Sequence, residues 1–173
     1  MKKVFIFVLA LVSLMMLTNC ADNRTANEIL SDVNKLVSEK KYEEAVEDLE
    51  LIKDKFPEDS LVVVSIYKLA EINGKYLNNY EAAAVNYSKV ADEFPASKNA
   101  SQSRFMAGYL YANKVNDLEK AKAEYEKFIQ EYPNSVLKSS VEFELRNLGV
   151  PIEEIGELKN IIEKKDSKEV VKK

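Results

Sequence analysis

The feature that most constrains this chain is an internal period of 38 residues. Three stretches align without gaps: YEEAVEDLELIKDKFPED from Tyr42, YEAAAVNYSKVADEFPAS from Tyr80 and LEKAKAEYEKFIQEYPNS from Leu118. Ala45, Ala83 and Ala121 coincide, followed by Leu49, Tyr87 and Tyr125, then by Ile52, Val90 and Phe128. Phe56, Phe94 and Tyr132 close the units and lead into Pro57, Pro95 and Pro133. Within a unit these positions recur at i, i+4, i+7 and i+11, which is one face of an α-helix. The small alanine admits a neighbouring helix at close range, and the larger residues fill the space beyond it. Proline cannot continue a helix and disfavours helical backbone in the residue before it, so each helix stops there. Asp59, Ser97 and Ser135 follow two residues later and suit the N-cap of the next helix. A unit that ends one helix and begins another within a few residues predicts an array of helical hairpins.

The intervening stretches supply the partner helices. Leu61 to Asn73 is apolar on most sides, with Ser65, Lys68 and Glu71 expected to mark a polar stripe. Ala100 to Asn113 carries Phe105, Met106, Ala107, Gly108, Leu110 and Tyr111. Gly108 costs a helix interior up to about 1 kcal/mol against alanine, so its place there predicts a close approach by a neighbour. Asn73-Gly74-Lys75 and Asn113 to Asp117 read as the turns inside the hairpins. Asn27 to Ser38 opens the first unit through a stripe of Ile29, Leu30, Val33, Leu36 and Val37. Val136 to Leu148 closes the last pair and is stopped by Gly149 and Pro151. Over residues 150–173, Ile152, Ile155, Leu158, Ile161 and Ile162 suit a short capping helix, and the charged run from Glu163 suits a frayed tail.

An aromatic, then Ala three residues on, a large apolar residue four further and a terminal proline resembles the tetratricopeptide repeat (TPR). Tyr42, Tyr80 and Leu118, the three alanines and the three prolines occupy that family's signature positions, and Gly108 sits close to the small position of its first helix. The unit here is 38 residues long against the family's 34. The resemblance covers residues 26–149 and implies an all-α fold: a right-handed superhelical array of antiparallel helix pairs, about three repeats plus an extra or capping helix. Units ending in aromatic-Pro are similar to those of envelope TPR lipoproteins, of the outer-membrane β-barrel assembly machine type and of periplasmic cell-division coordinators.

The N-terminus is consistent with that likeness. Lys2 and Lys3 precede a run from Val4 to Leu17 that is apolar apart from Ser13. Such a run is too short to span a bilayer, which needs about 20 residues, and fits an export signal. Leu17-Thr18-Asn19-Cys20 then resembles a bacterial lipobox, with Asn19 standing where that family usually carries Gly, Ala or Ser. The resemblance implies cleavage before Cys20, the only cysteine in the chain, and lipidation of its thiol. Residues 1–19 are then a signal peptide, and 20–25 an acylated cysteine with a short tether. The alternative is an uncleaved signal anchor with a chance cysteine. Ala21 in place of Asp favours the outer membrane by the family's sorting rule. The expected setting is therefore the periplasmic face of that membrane. A diacylglyceryl group with a further acyl chain exceeds what stable attachment requires.

Composition limits the chemistry. There is no histidine, so the usual general base and the commonest metal ligand are absent. With Cys20 acylated no thiol nucleophile remains, and the four glycines form no phosphate loop. Glu43-Glu44 and Glu153-Glu154 suit the first turn of a helix, where the dipole favours negative charge. Tyr87, Tyr125 and Tyr132 fall at core positions of the repeat. The net charge of −4, more negative once Lys2 and Lys3 are removed, gives no footprint for nucleic acid. No enzyme, cofactor or metal site is expected. A binding role remains, with a protein or peptide partner in the cell envelope; a non-protein envelope ligand such as a peptidoglycan fragment is the alternative. Alignment to the family's groove gives Tyr67, Glu71, Gln102, Tyr109 and Asn113 as candidate contacts on the concave face, or else as a solvated surface.

Overall fold

The computed structural model describes residues 22–151 and 154–156. The signal segment, Cys20, and Ile152, Leu158, Ile161, Ile162 and the charged tail lie outside the described residues. Among the described residues seven α-helices follow one another: α1 Ala26–Ser38, α2 Tyr42–Lys55, α3 Leu61–Lys75, α4 Tyr80–Glu93, α5 Ala100–Leu110, α6 Leu118–Glu131 and α7 Lys138–Arg146. A π-helical turn, Tyr111–Val115, extends α5. Each helix packs on its neighbour in sequence, and no strand occurs among the described residues. None of these helices is long and apolar enough to cross a membrane.

The period carries through to the backbone. Helices α2, α4 and α6 are each 14 residues long and begin 38 residues apart. Each ends on the aromatic before proline, with φ/ψ of −129°/53° at Phe56, −129°/55° at Phe94 and −124°/53° at Tyr132. That shared departure from helical geometry is what the following proline imposes. The expected caps act slightly ahead of the helices they serve. Asp59, Ser97 and Ser135 accept from the amides of Leu61, Asn99 and Leu137 at 2.8, 3.3 and 3.3 Å, closing a turn that leads into α3, α5 and α7.

The turns inside the hairpins repeat as well, but differ from expectation. Asn73-Gly74-Lys75 is helical to its end, and the turn begins at Tyr76. Gly74 is spent on packing, because a Cβ there would lie 3.2 Å from Ala83 Cβ. Asn113 to Val115 continue helically as the π turn, leaving only Asn116 and Asp117 as the link. The left-handed residues Lys40 (φ 62°), Asn78 (φ 53°) and Asn116 (φ 61°) stand 38 apart and reverse the chain in each hairpin. Asn79 and Asp117 donate their amides to the carbonyls of Asn73 and Tyr111, both at 2.8 Å. The side chains of the same two residues cap α4 and α6 by accepting from Ala82 at 3.3 Å and Lys120 at 3.0 Å.

The core runs along the array between successive helices. Ile29, Val33, Ala45, Leu49 and Ile52 of the first unit are wholly buried in one cluster with Leu69 of α3, as are Ala83, Ala107, Ala121, Tyr125, Phe128 and Val141 further on. Each large side chain of this set contributes roughly 1.5–3 kcal/mol by leaving water. The close approach expected at Gly108 is present: a Cβ would stand 2.5 Å from the Tyr125 ring. Two residues depart from their assigned places. Ser65 is fully buried, its hydroxyl donating to the Val62 carbonyl at 2.8 Å, so only Lys68 and Glu71 remain of the polar stripe. Val136 is 96% exposed and precedes α7 instead of opening it, because the turn capped by Ser135 occupies that stretch.

Candidate functional site

The first helices of the pairs, α3 and α5, carry the residues expected to meet a partner, and the structure divides them. Tyr67 is half-buried, its ring set edge-on against Tyr87 at 5.6 Å and 73°. Burial pushes the Tyr67 phenol up from its ordinary range, and the carboxylate of Glu71, one turn on, acts in the same sense. Glu71 is exposed and lines a cleft of about 380 Å³ between α3, α4 and α5. Buried Ala70, Tyr87 and Leu110 contribute to its wall, and exposed Lys75 and Lys114 add charge. Lys114 Nζ lies 5.5 Å from the centre of the Tyr80 ring, whose hydroxyl donates to Asn78 at 2.7 Å.

Tyr109 and Asn113 belong to a second groove of about 440 Å³ at the far end of the array. Asn113 donates its side-chain amide to the Tyr109 carbonyl at 3.1 Å, which fixes the pair relative to each other. Leu118, Phe143, Leu148, Val150 and Ile155 make most of the remaining wall apolar. Glu144 is the one charged side chain lining it among the described residues, and burial pushes that carboxyl above the usual carboxylate range. Gln102 is exposed two turns before Tyr109 and lines neither depression. The five positions are thus brought onto two neighbouring helices, but only Glu71, Tyr109 and Asn113 line a recess, Glu71 one and the other two another.

Three features escaped the residue pattern. Lys75 and Lys114 join Glu71 only because α3 and the π turn converge on one cleft. Glu144 enters the second groove through the packing of α7 against α6. Arg104 is 1% exposed and ion-paired to Asp92, Glu124 and Glu131 at 2.7, 3.0 and 2.8 Å. Its signal was present in the sequence, since the aligned residue one unit earlier is the buried Ile66. The hydroxyls of Tyr125 and Tyr132 are buried with no hydrogen-bond partner among the described residues, so these rings serve as core, as their repeat positions required.

Of the stretch expected as a tether, Asp22 to Thr25 are described, and they lie against the first hairpin. Arg24 pairs with Asp22, with Asp32 on α1 and with Asp48 on α2, at 2.7, 2.7 and 2.6 Å. Lys55, the last residue of α2, donates to the carbonyls of Asp22 and Arg24. Thr25 and Glu28 form a reciprocal capping box at the start of α1.

Helices paired at a 38-residue period, with the aromatic-Pro stop at each unit end, define the array; the profile of the family YfiO, outer membrane lipoprotein, matches residues 22–149. The chain belongs to that family. As a YfiO-family protein it is a protein of the cell envelope, associated with the membrane. No curated protein matches the chain. The match begins at Asp22, so the Arg24 cluster falls inside the YfiO region.

Proposed function

We propose that this YfiO-family chain is a scaffold, anchored by lipid at Cys20 to the periplasmic face of the outer membrane, that holds an envelope protein or peptide along α3 and α5. The observation that carries the reading is the pair of recesses flanking these helices, one edged by Glu71, Lys75 and Lys114, the other largely apolar with Glu144 in its wall. Tyr67 on α3 and Gln102 on α5 add an aromatic and a polar group beside them, and Tyr109 adds a second aromatic within the apolar recess, groups of the kind that peptide-in-groove recognition uses. Anchoring raises the local concentration of such a scaffold near membrane-bound partners. Catalysis is not part of the proposal, because a chain without histidine or a free thiol offers its carboxylates mainly as ion-pair and helix-end charge.

Photo-crosslinking in cells tests the partner. A crosslinking residue at Glu71, Gln102 or Tyr109 is expected to give one discrete protein adduct, with none from Glu47, which is exposed on α2 and lines neither recess. Equal adducts from all four positions would refute the scaffold reading. Co-sedimentation with isolated cell wall in place of a protein adduct would favour a non-protein ligand. The anchor is tested separately: Cys20→Ser is expected to abolish lipid labelling and release the chain from membranes.

A further inference from the structure

The way residues 22–25 are held bears on how such a scaffold sits on its membrane. A tether normally decouples a domain from its anchor, and a flexible one lets the domain tumble. Here the chain is engaged from Asp22, the first described residue, onward. Asp22 lies two residues beyond Cys20 in sequence, a span of at most about 7 Å when fully extended. Arg24 binds carboxylates from three places, with its neighbour Asp22 and the helices α1 and α2 each supplying one. A guanidinium presents donors in a rigid planar fork, so several simultaneous partners fix its orientation as well as its position. Lys55 closes the same junction from the end of α2 by donating to the backbone of Asp22 and Arg24. The capping box of Thr25 and Glu28 then continues the chain into α1 without a free joint.

We infer that Arg24 is a positioning residue that turns the N-terminal segment into a rigid joint, so that the edge formed by the start of α1 and the end of α2 faces the lipid surface. This rests on the lipid-anchored reading of Cys20. The partner is the bilayer itself, and the interaction surface is the Asp22–Thr25 junction with the adjoining turn at Pro57 and Glu58, both exposed. The opposite end of α1, at exposed Ser38, stands away from the membrane: 13 residues of helix separate the two by roughly 20 Å. A fixed edge gives a scaffold one orientation, so the recesses beside α3 and α5 are always presented at the same height and direction.

The experiment uses the full-length acylated protein in vesicles of phosphatidylethanolamine and phosphatidylglycerol doped with a nickel-chelating lipid. Spin labels are placed singly at Glu58→Cys and at Ser38→Cys, since acylation leaves Cys20 unreactive. Relaxation by the headgroup nickel is expected to be several-fold stronger at position 58 than at 38. Arg24→Ala, and separately a Gly/Ser insert of about six residues between Ala21 and Asp22, are expected to bring that ratio close to one, with the helical circular-dichroism signal unchanged. A ratio near one in the unaltered protein overturns the inference, as does a ratio that survives both changes. Mass spectrometry of the same samples separates the two layers. An unacylated chain removes the anchored reading and the joint with it, whereas an acylated chain with no contrast removes the joint alone.

Discussion

The Arg104 guanidinium donates through Nη1 to the Glu124 carboxylate at 3.0 Å, linking α5 to α6 with 1% of the Arg104 side chain exposed. Asp92 and Glu131 complete its coordination, and Ser88 donates its hydroxyl to Glu124 at 2.8 Å. Burial alone works to raise the Asp92 carboxyl, but Arg104 and Lys127 bring it below the ordinary range.

One unit earlier the aligned residues are Ile66, buried with Val62 and Val90, and Asn86, whose side-chain amide donates to the Ala82 carbonyl of its own helix at 3.0 Å, so no ion pair is needed there. Removing one member of a buried ion pair strands the other, at a cost of about 3–5 kcal/mol, whereas replacing the pair together is often tolerated. Arg104→Ile is therefore expected to destabilise the chain by about that amount. Arg104→Ile with Glu124→Asn, which copies the second unit, is expected to recover more than half of it. Urea denaturation of the single and double variants measures the coupling, and additive effects would show that the two side chains act independently.

Glu144 gives the pH dependence. Its carboxyl is raised by burial, so the folded state binds this proton more tightly than the unfolded state does. Such a group's stabilising contribution is complete below the unfolded value of 4.5 and is lost as pH rises through the folded value. At neutral pH the half-buried carboxylate is consequently a penalty. Glu144→Gln is expected to raise the Tm at pH 7, and the gain should shrink toward zero below pH 4.5. Thermal unfolding monitored at both ends of that range checks the sign.

Gly108 and Gly74 should respond differently to alanine. At Gly108 the new Cβ meets the Tyr125 ring at 2.5 Å, in a core with no room to yield. Overpacking of that kind costs about 1–3 kcal/mol and outweighs the roughly 1 kcal/mol that alanine gains in helix propensity. At Gly74 the contact is with a methyl group at 3.2 Å, which a shift of a few tenths of an ångström relieves. Gly108→Ala is expected to lose about 1–2 kcal/mol in chemical denaturation, and Gly74→Ala to stay within about 1 kcal/mol of the parent.

The same contrast shows what the residues made legible. A period of 38, an alanine at each close approach and a proline after each aromatic led directly to α2, α4, α6 and their buried faces, because those features act within one helix and its neighbour. The Asn-Gly-Lys stretch misled because glycine carries two meanings, turn former and packing residue, and only the presence of Ala83 across the interface decides between them. Ser65 misled for a related reason: a hydroxyl that returns its hydrogen bond to its own helix can be buried, and a polarity pattern does not register this. At the candidate site, each residue's exposure was largely readable from helical phase. The separation of Glu71 from Tyr109 into two recesses was not, since it depends on where the π turn and the segment after α7 run.

The first hairpin lacks devices that the other two share. Lys40 holds the left-handed φ of 62° that Asn78 and Asn116 hold elsewhere, and Lys41 makes no side-chain cap where Asn79 and Asp117 do. A left-handed backbone costs an ordinary side chain roughly 1–2 kcal/mol, and asparagine recovers part of that through local hydrogen bonding. A good N-cap is worth about 1 kcal/mol. Copying the third unit with Lys40→Asn and Lys41→Asp should therefore stabilise the chain by roughly 1–2 kcal/mol. The gain should be smaller than the two terms suggest, because Lys41 Nζ pairs with Glu39 at 2.9 Å and that exposed contact would be lost. Hydrogen exchange locates the effect: the amides of α1 and α2 should gain protection while those of α6 remain as they were. Uniform protection along all seven helices would mean that the array unfolds as one unit and not pair by pair.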